Sequence, residues 1–250
     1  MGRDLLLRKV AAEVVGTAFL VAAVIGSGIA ATRLSPDDVG LQLLQNSIVT
    51  GAALVALILA LQPVSAAFNP LVTLAEVVLG LLHVRDAVPL VLGQVAGGVV
   101  GAVVANLMFD LDAVTISTRE RTGGDLWLAE VVATLGLLVV IFGSVRSGRT
   151  DTIAYAVGGY ITAAYWFTSS TSFANPAVTV ARMFSDTFAG ISPGSVAPFL
   201  AFQLLGAGLA VLLVRLLYPA ESLRNAATAT ATSPATSADT APVDQPGDRS

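Results

Sequence analysis

A chain of 250 residues that is 55% apolar and 12% charged, with a mean hydropathy of +0.80, lacks the polar surface of a soluble domain, in which about a quarter of residues are charged. Its length allows about six or seven membrane spans of roughly 20 residues joined by short loops, and leaves no room for a large soluble domain. The net charge of −4 carries no basic stripe, which excludes a nucleic-acid interface; 0 cysteines exclude disulfides and thiolate metal sites, and with His83 as the 1 histidine no metal or cofactor is expected.

The first apolar run covers 10–31. It follows Arg3, Arg8 and Lys9 and begins like a secretory signal, but it continues past Gly16 to Ala31 and reads as a retained first span. Further runs of spanning length cover 43–61, 87–109, 126–145, 153–167 and 196–218, which brings the spans to six. Two apolar stretches are too short to span: 70–82, after the second run, and 176–189, after the fifth. From Ala220 the composition turns to Ala, Thr, Ser, Pro and Asp, so 1–219 is expected to form the membrane domain and 220–250 a disordered cytoplasmic tail.

Basic residues set the orientation. Arg3, Arg8, Lys9, Arg85, Arg146, Arg149, Arg215, Arg224 and Arg249 fall on one side, and Arg33, Arg119, Arg121 and Arg182 on the other. The positive-inside rule then predicts a multi-pass protein of the cell membrane with both termini cytoplasmic.

The two halves carry the same marks in the same order. Glu13 and Thr17 in the first span match Glu130 and Thr134 in the fourth, and the pair Gly26-Ser27 matches Gly143-Ser144. Next, Asn69-Pro70-Leu71-Val72-Thr73 matches Asn175-Pro176-Ala177-Val178-Thr179, and Gln94-x-x-Gly97 matches Gln203-x-x-Gly206. The repeats cover about 8–109 and 126–218. With three spans in each, the second copy enters the membrane from the opposite side, so the repeat is inverted about an axis in the membrane plane.

A short apolar helix that enters the membrane on an irregular stretch such as 62–68 is tolerated only where protein or a wet cavity surrounds it. Proline suits the first helical position, and the asparagine before it can cap the first turn. Both helix starts then fall near mid-membrane. Their dipoles direct about half a positive charge each at the lumen, which repels cations, while free amide hydrogens serve a neutral solute.

Paired Asn-Pro half-helices in a six-span inverted repeat, with the Glu-x-x-x-Thr and Gln-x-x-Gly marks, resemble the aquaporins, or major intrinsic proteins, over roughly 8–218. The resemblance implies an all-α membrane fold of six transmembrane helices plus two re-entrant half-helices. It further implies a channel rather than an enzyme, a homotetramer in lipid with one pore per subunit, and passive conduction of water or small uncharged solutes. In the family, glutamates matching Glu13 and Glu130 brace the re-entrant loops; snorkelling to the interface is the alternative for either.

The sequence departs from the common family pattern where selectivity is set. The arginine that usually follows the second motif is replaced by Val178, and the first motif ends in Leu71 instead of alanine. The other constriction positions fall to Val49 or Thr50 on the second span, Thr162 or Ala163 on the fifth, and Thr171 or Ser172 in the second re-entrant loop. All are small, so the filter is expected to lack both arginine and aromatics. In this it is similar to arsenic-linked, aquaglyceroporin-like bacterial members that pass As(OH)3 besides water and glycerol.

Arg182, four residues after Val178, lies on the same helix face and either lends its charge to the outer vestibule or snorkels at the helix end. Gly93, Gly97 and Gly101 read as a close-packing stripe. Tyr155, Tyr160, Tyr165, Trp166 and Phe167 read as an interfacial belt and helix packing. A strict water channel and a secondary transporter are the alternatives to a small-solute channel.

Overall fold

The computed structural model describes residues 2–218, which are helical apart from turns and loops. The expected tail lies outside the described residues. The helices are α1 (Arg3–Leu34), α2 (Val39–Leu61), α3 (Pro70–Val78), α4 (Val84–Met108), α5 (Gly124–Arg146), α6 (Ile153–Phe167), α7 (Pro176–Ala181) and α8 (Pro193–Leu217). The order long, long, short, long thus occurs twice. Five of these helices are long and apolar enough to cross a membrane by length and composition; α6, with 15 residues, is extended at its start by a 3-10 turn at Thr150–Thr152.

Local chemistry explains the helix starts. Asp38 caps α2 by accepting from the Leu41 N–H at 2.8 Å, and α3, α7 and α8 each begin with proline near the first turn, where a missing N–H costs nothing. Both half-helices end sooner than hydropathy suggests. At the end of α3 the chain turns through Gly80, whose φ of 77° is open to glycine. At the end of α7 it tightens into a 3-10 turn, Arg182–Phe184, because polar groups beyond Ala181 bind elsewhere: Asn106 of α4 donates to the Phe184 carbonyl at 2.9 Å and accepts from Ser185 at 2.7 Å.

Glycines set how closely the long helices approach. A Cβ at Gly97 or Gly101 would strike the backbone of Val14 or Ala18, so α4 lies directly on α1. In the second half Gly206 of α8 meets the Val131 carbonyl of α5, where a Cβ would come within 2.6 Å. The halves join where α2 and α6 cross at Gly51 and Gly158; a Cβ at Gly158 would lie 2.7 Å from the Gly51 carbonyl. Outward faces carry Phe19, Leu92 and Leu212, each more than 60% exposed, as a lipid-facing surface requires and an aqueous one penalises.

Candidate functional site: a cavity at the meeting of two half-helices

The two re-entrant loops are shaped by buried carboxylates. Glu13, fully buried, accepts from Ser65 Oγ and the Ala67 N–H (2.9 Å) on one oxygen, and from the Phe68 N–H (2.7 Å) and Gln94 Nε2 (2.8 Å) on the other. Glu130, equally buried, accepts from the N–H groups of Phe173 (3.0 Å) and Ala174 (2.9 Å) and from Gln203 Nε2 (2.6 Å). Neither carboxylate reaches an interface. Each glutamine also donates to a half-helix threonine, Gln94 to Thr73 and Gln203 to Thr179, both at 2.9 Å. A buried carboxylate with three or four donors offsets its desolvation through charge-assisted bonds.

Each brace holds a strained residue. Phe68 and Ala174, immediately before the two asparagines, have φ of 48° and 46°, a left-handed conformation that costs a residue with a Cβ about 1–3 kcal/mol. The strain turns their carbonyls toward the other repeat. Asn69 Nδ2 donates to the Ala174 carbonyl at 2.8 Å, and Asn175 Nδ2 donates to the Phe68 carbonyl at 2.7 Å. Each asparagine meanwhile caps its own helix through Oδ1, Asn69 accepting from Leu71 N–H and Asn175 from the N–H groups of Ala177 and Val178. Of the four amide hydrogens on the two Nδ2 atoms, two are used in these ties. This reciprocal bonding left no signal in the sequence, because nothing in the residue type of Phe68 or Ala174 asks for positive φ.

Asn69 and Asn175 line a cavity of about 450 Å³. Its apolar flank is built from helical stripes: Thr50, Leu54 and Ile58 on α2, and Val157, Ile161 and Tyr165 on α6, each at four-residue spacing. Leu20, Val24, Leu137 and Ile141 add to the apolar share of the lining. A lining that offers both apolar and hydrogen-bonding groups suits a molecule with both kinds of surface.

At the outer end the structure separates the expected constriction residues. Thr50, Ser172 and Val178 line the cavity. Val49 and Ala163 do not; both are exposed on the outer helix faces, about a quarter turn or more from the lining stripes. Thr162 is spent on helix packing, donating to the Gly158 carbonyl at 2.8 Å and lying against Gly51. Thr171, at φ 63°, forms the turn that delivers Ser172 and is not part of the wall.

Aromatic residues and an arginine also line this cavity, at positions other than the four expected ones. Tyr165 leaves the interfacial cluster, is buried, and its hydroxyl lies 3.1 Å from Thr50 Oγ1 on the same flank of the cavity. Phe173 lines the outer end, and Arg182 is buried there with its guanidinium carbon 3.5 Å from the Phe173 ring centroid and its Nε donating to the Ala189 carbonyl. Arg182 does not snorkel. The four-residue period on α6 that passes through Ile161 was the signal for Tyr165, since it places Tyr165 on the Val157 face and Thr162 on the face toward α2. At the inner end Glu76, the repeat counterpart of Arg182, lines the cavity with Lys9.

Two opposed half-helices that meet by their N-termini inside a bundle, and there line a cavity, define a membrane channel. The comparisons agree. A family model for Major intrinsic protein matches residues 3–168 and 146–243. The chain is 50% identical to Aquaglyceroporin AqpS of Rhizobium meliloti over 220 residues, covering 87% of this chain and 94% of that protein. It is 30% identical to Aquaporin NIP1-2 of Arabidopsis thaliana over 168 residues, 62% of this chain and 56% of that one. Among solved structures, the aquaglyceroporin from Plasmodium falciparum superposes with a TM-score of 0.66 at 18% identity, over 84% of this chain and 94% of its own, which speaks for the fold. The chain belongs to the major intrinsic protein family, multi-pass membrane proteins that are channels and not enzymes.

Proposed function

We propose that this channel passes small uncharged solutes passively: water, glycerol-sized polyols and As(OH)3, a neutral hydroxide of similar size. The observation that carries the reading is the placement of Asn69 and Asn175 at the start of opposed half-helices, in the lining of a cavity that is otherwise largely apolar. A polyol presents hydroxyls to the hydrogen-bonding groups and carbon to the apolar ones, and the two helix starts disfavour a cation between them. Val178, in place of a guanidinium at that position, leaves width for more than water, and the relative named an aquaglyceroporin supports the same solute class.

Stopped-flow light scattering on proteoliposomes tests the reading. Permeability to water and glycerol should rise above that of empty vesicles, and As(OH)3 should enter faster; no rise for any of the three ends the proposal. Tyr165 and Arg182 at the outer end favour a narrower second reading, a strict water channel, which water permeation without glycerol permeation would establish. The protein works as a homotetramer in the cell membrane with both termini cytoplasmic, in keeping with the apolar exterior and the distribution of its basic residues. Reporter fusions at the C-terminus and mass measurement in detergent check orientation and assembly.

A further inference from the structure

The loop between α4 and α5 contributes a buried arginine that the channel reading does not use. Arg121 is 9% exposed, its guanidinium carbon lies 4.9 Å from the centroid of the Phe173 ring, and its Nε donates to the Gly190 carbonyl at 2.9 Å. Its backbone N–H donates to Ser195 Oγ at 2.9 Å, which ties this loop to the start of α8. Arg182 occupies the same ring at 3.5 Å and bonds the neighbouring Ala189 carbonyl. Two guanidiniums therefore share one aromatic ring and one short loop, and both lie well within a Debye length of each other. Burying two like charges together is costly, and a function that needs the charge is the physical reason to bear that cost. Phe173, which lines the cavity, is packed from another direction by Phe199, edge to face at 5.1 Å.

We propose that Arg121 is a specificity-determining positioning residue: through Phe173 and the 188–190 carbonyls it holds the outer mouth, and its charge joins that of Arg182 to exclude cations where the usual arginine is replaced by Val178. The inference rests on the channel reading above. It places beside the Phe173 ring, which lines the mouth, a charge that comes from outside both Asn-Pro motifs, and neutral solutes do not feel it, whereas a cation meets Arg182 in the wall and the field of Arg121 across a medium of low dielectric.

The test uses the full-length chain in proteoliposomes and reads three quantities: glycerol flux, sodium leak and proton leak. Glycerol flux in the unaltered protein tests the channel reading by itself, and its absence takes this inference down with it. Arg121→Gln should raise sodium and proton leak several-fold with glycerol flux close to that of the unaltered protein, and Arg121→Lys, which restores the charge, should return the leak toward its original level. Arg119→Gln, the same charge change at an exposed position of the same loop, should stay tight. A tight Arg121→Gln channel overturns the proposal. So does a leak equalled by Arg119→Gln, a leak not repaired by lysine, or a leak that comes only with collapse of glycerol flux. If Arg121→Gln does not reconstitute, Phe173→Leu decides, since it removes the shared ring: a leak supports the proposal and a tight channel overturns it.

Discussion

Arginine introduced at position 178 has a single direction open to it, because Val178 is 5% exposed and faces the cavity from the first turn of α7. Val178→Arg should therefore suppress glycerol and As(OH)3 flux while sparing water; stopped-flow permeabilities of the three solutes check it, and equal losses for all would mean general damage. At the braces, Glu130→Gln keeps one acceptor oxygen, which can still serve the Ala174 N–H and Gln203, but loses the charge and turns an NH2 toward the Phe173 N–H, whereas Glu130→Ala removes the acceptor of all three hydrogen bonds. Since hydrogen bonds to charged groups contribute about 1.5–3 kcal/mol each, alanine should lower thermal stability in detergent clearly more than glutamine does. The asparagines, glutamates and Val178 were legible in sequence because they recur in register or break a motif. Tyr165 was not, for a hydropathy reading groups it with Trp166 and Phe167 and only helical phase separates it from them. Arg121 lies outside the repeat and carried no mark at all.

Among the elements, the two half-helices were visible as apolar stretches too short to span, yet their ends were misjudged. Hydropathy runs on through Phe184 and Phe188, while the backbone leaves the helix at Ala181 because its later polar groups are claimed by α4 and by the preceding loop. Competition of that kind is tertiary and no local pattern reports it. The glycine stripe of α4, by contrast, was legible from spacing alone. Gly97→Leu and Gly101→Leu should each force α4 away from the backbone of Val14 or Ala18, with loss of folded protein on size exclusion, whereas Gly159→Leu, where a Cβ meets open space, should leave the yield nearly unchanged.

For the molecule as a whole, the inverted arrangement follows from parity: three spans per copy reverse the second copy. What parity could not supply is how the copies hold each other. Each asparagine donates to the backbone of the opposite re-entrant loop, so neither half contains a finished midpoint. A fragment ending between α4 and α5, or one beginning there, should give vesicles no water permeability above background. The two fragments expressed together should restore it, and failure of the pair to do so would show that the covalent link is itself required.

The reciprocal asparagine bonds also impose an order in time. As the chain leaves the ribosome, Asn69 is made 105 residues before Ala174, whose carbonyl it requires. Until α7 emerges, the Phe68 carbonyl has no acceptor role to play toward Asn175, and a half-helix at membrane depth would have its polar start facing hydrocarbon. The first re-entrant loop has its Glu13 brace within its own half, but its midpoint bonds wait for the second half, so a pore with both asparagines tied is expected only once α7 has been made, and water permeability of vesicles holding chains truncated before or after α7 checks it.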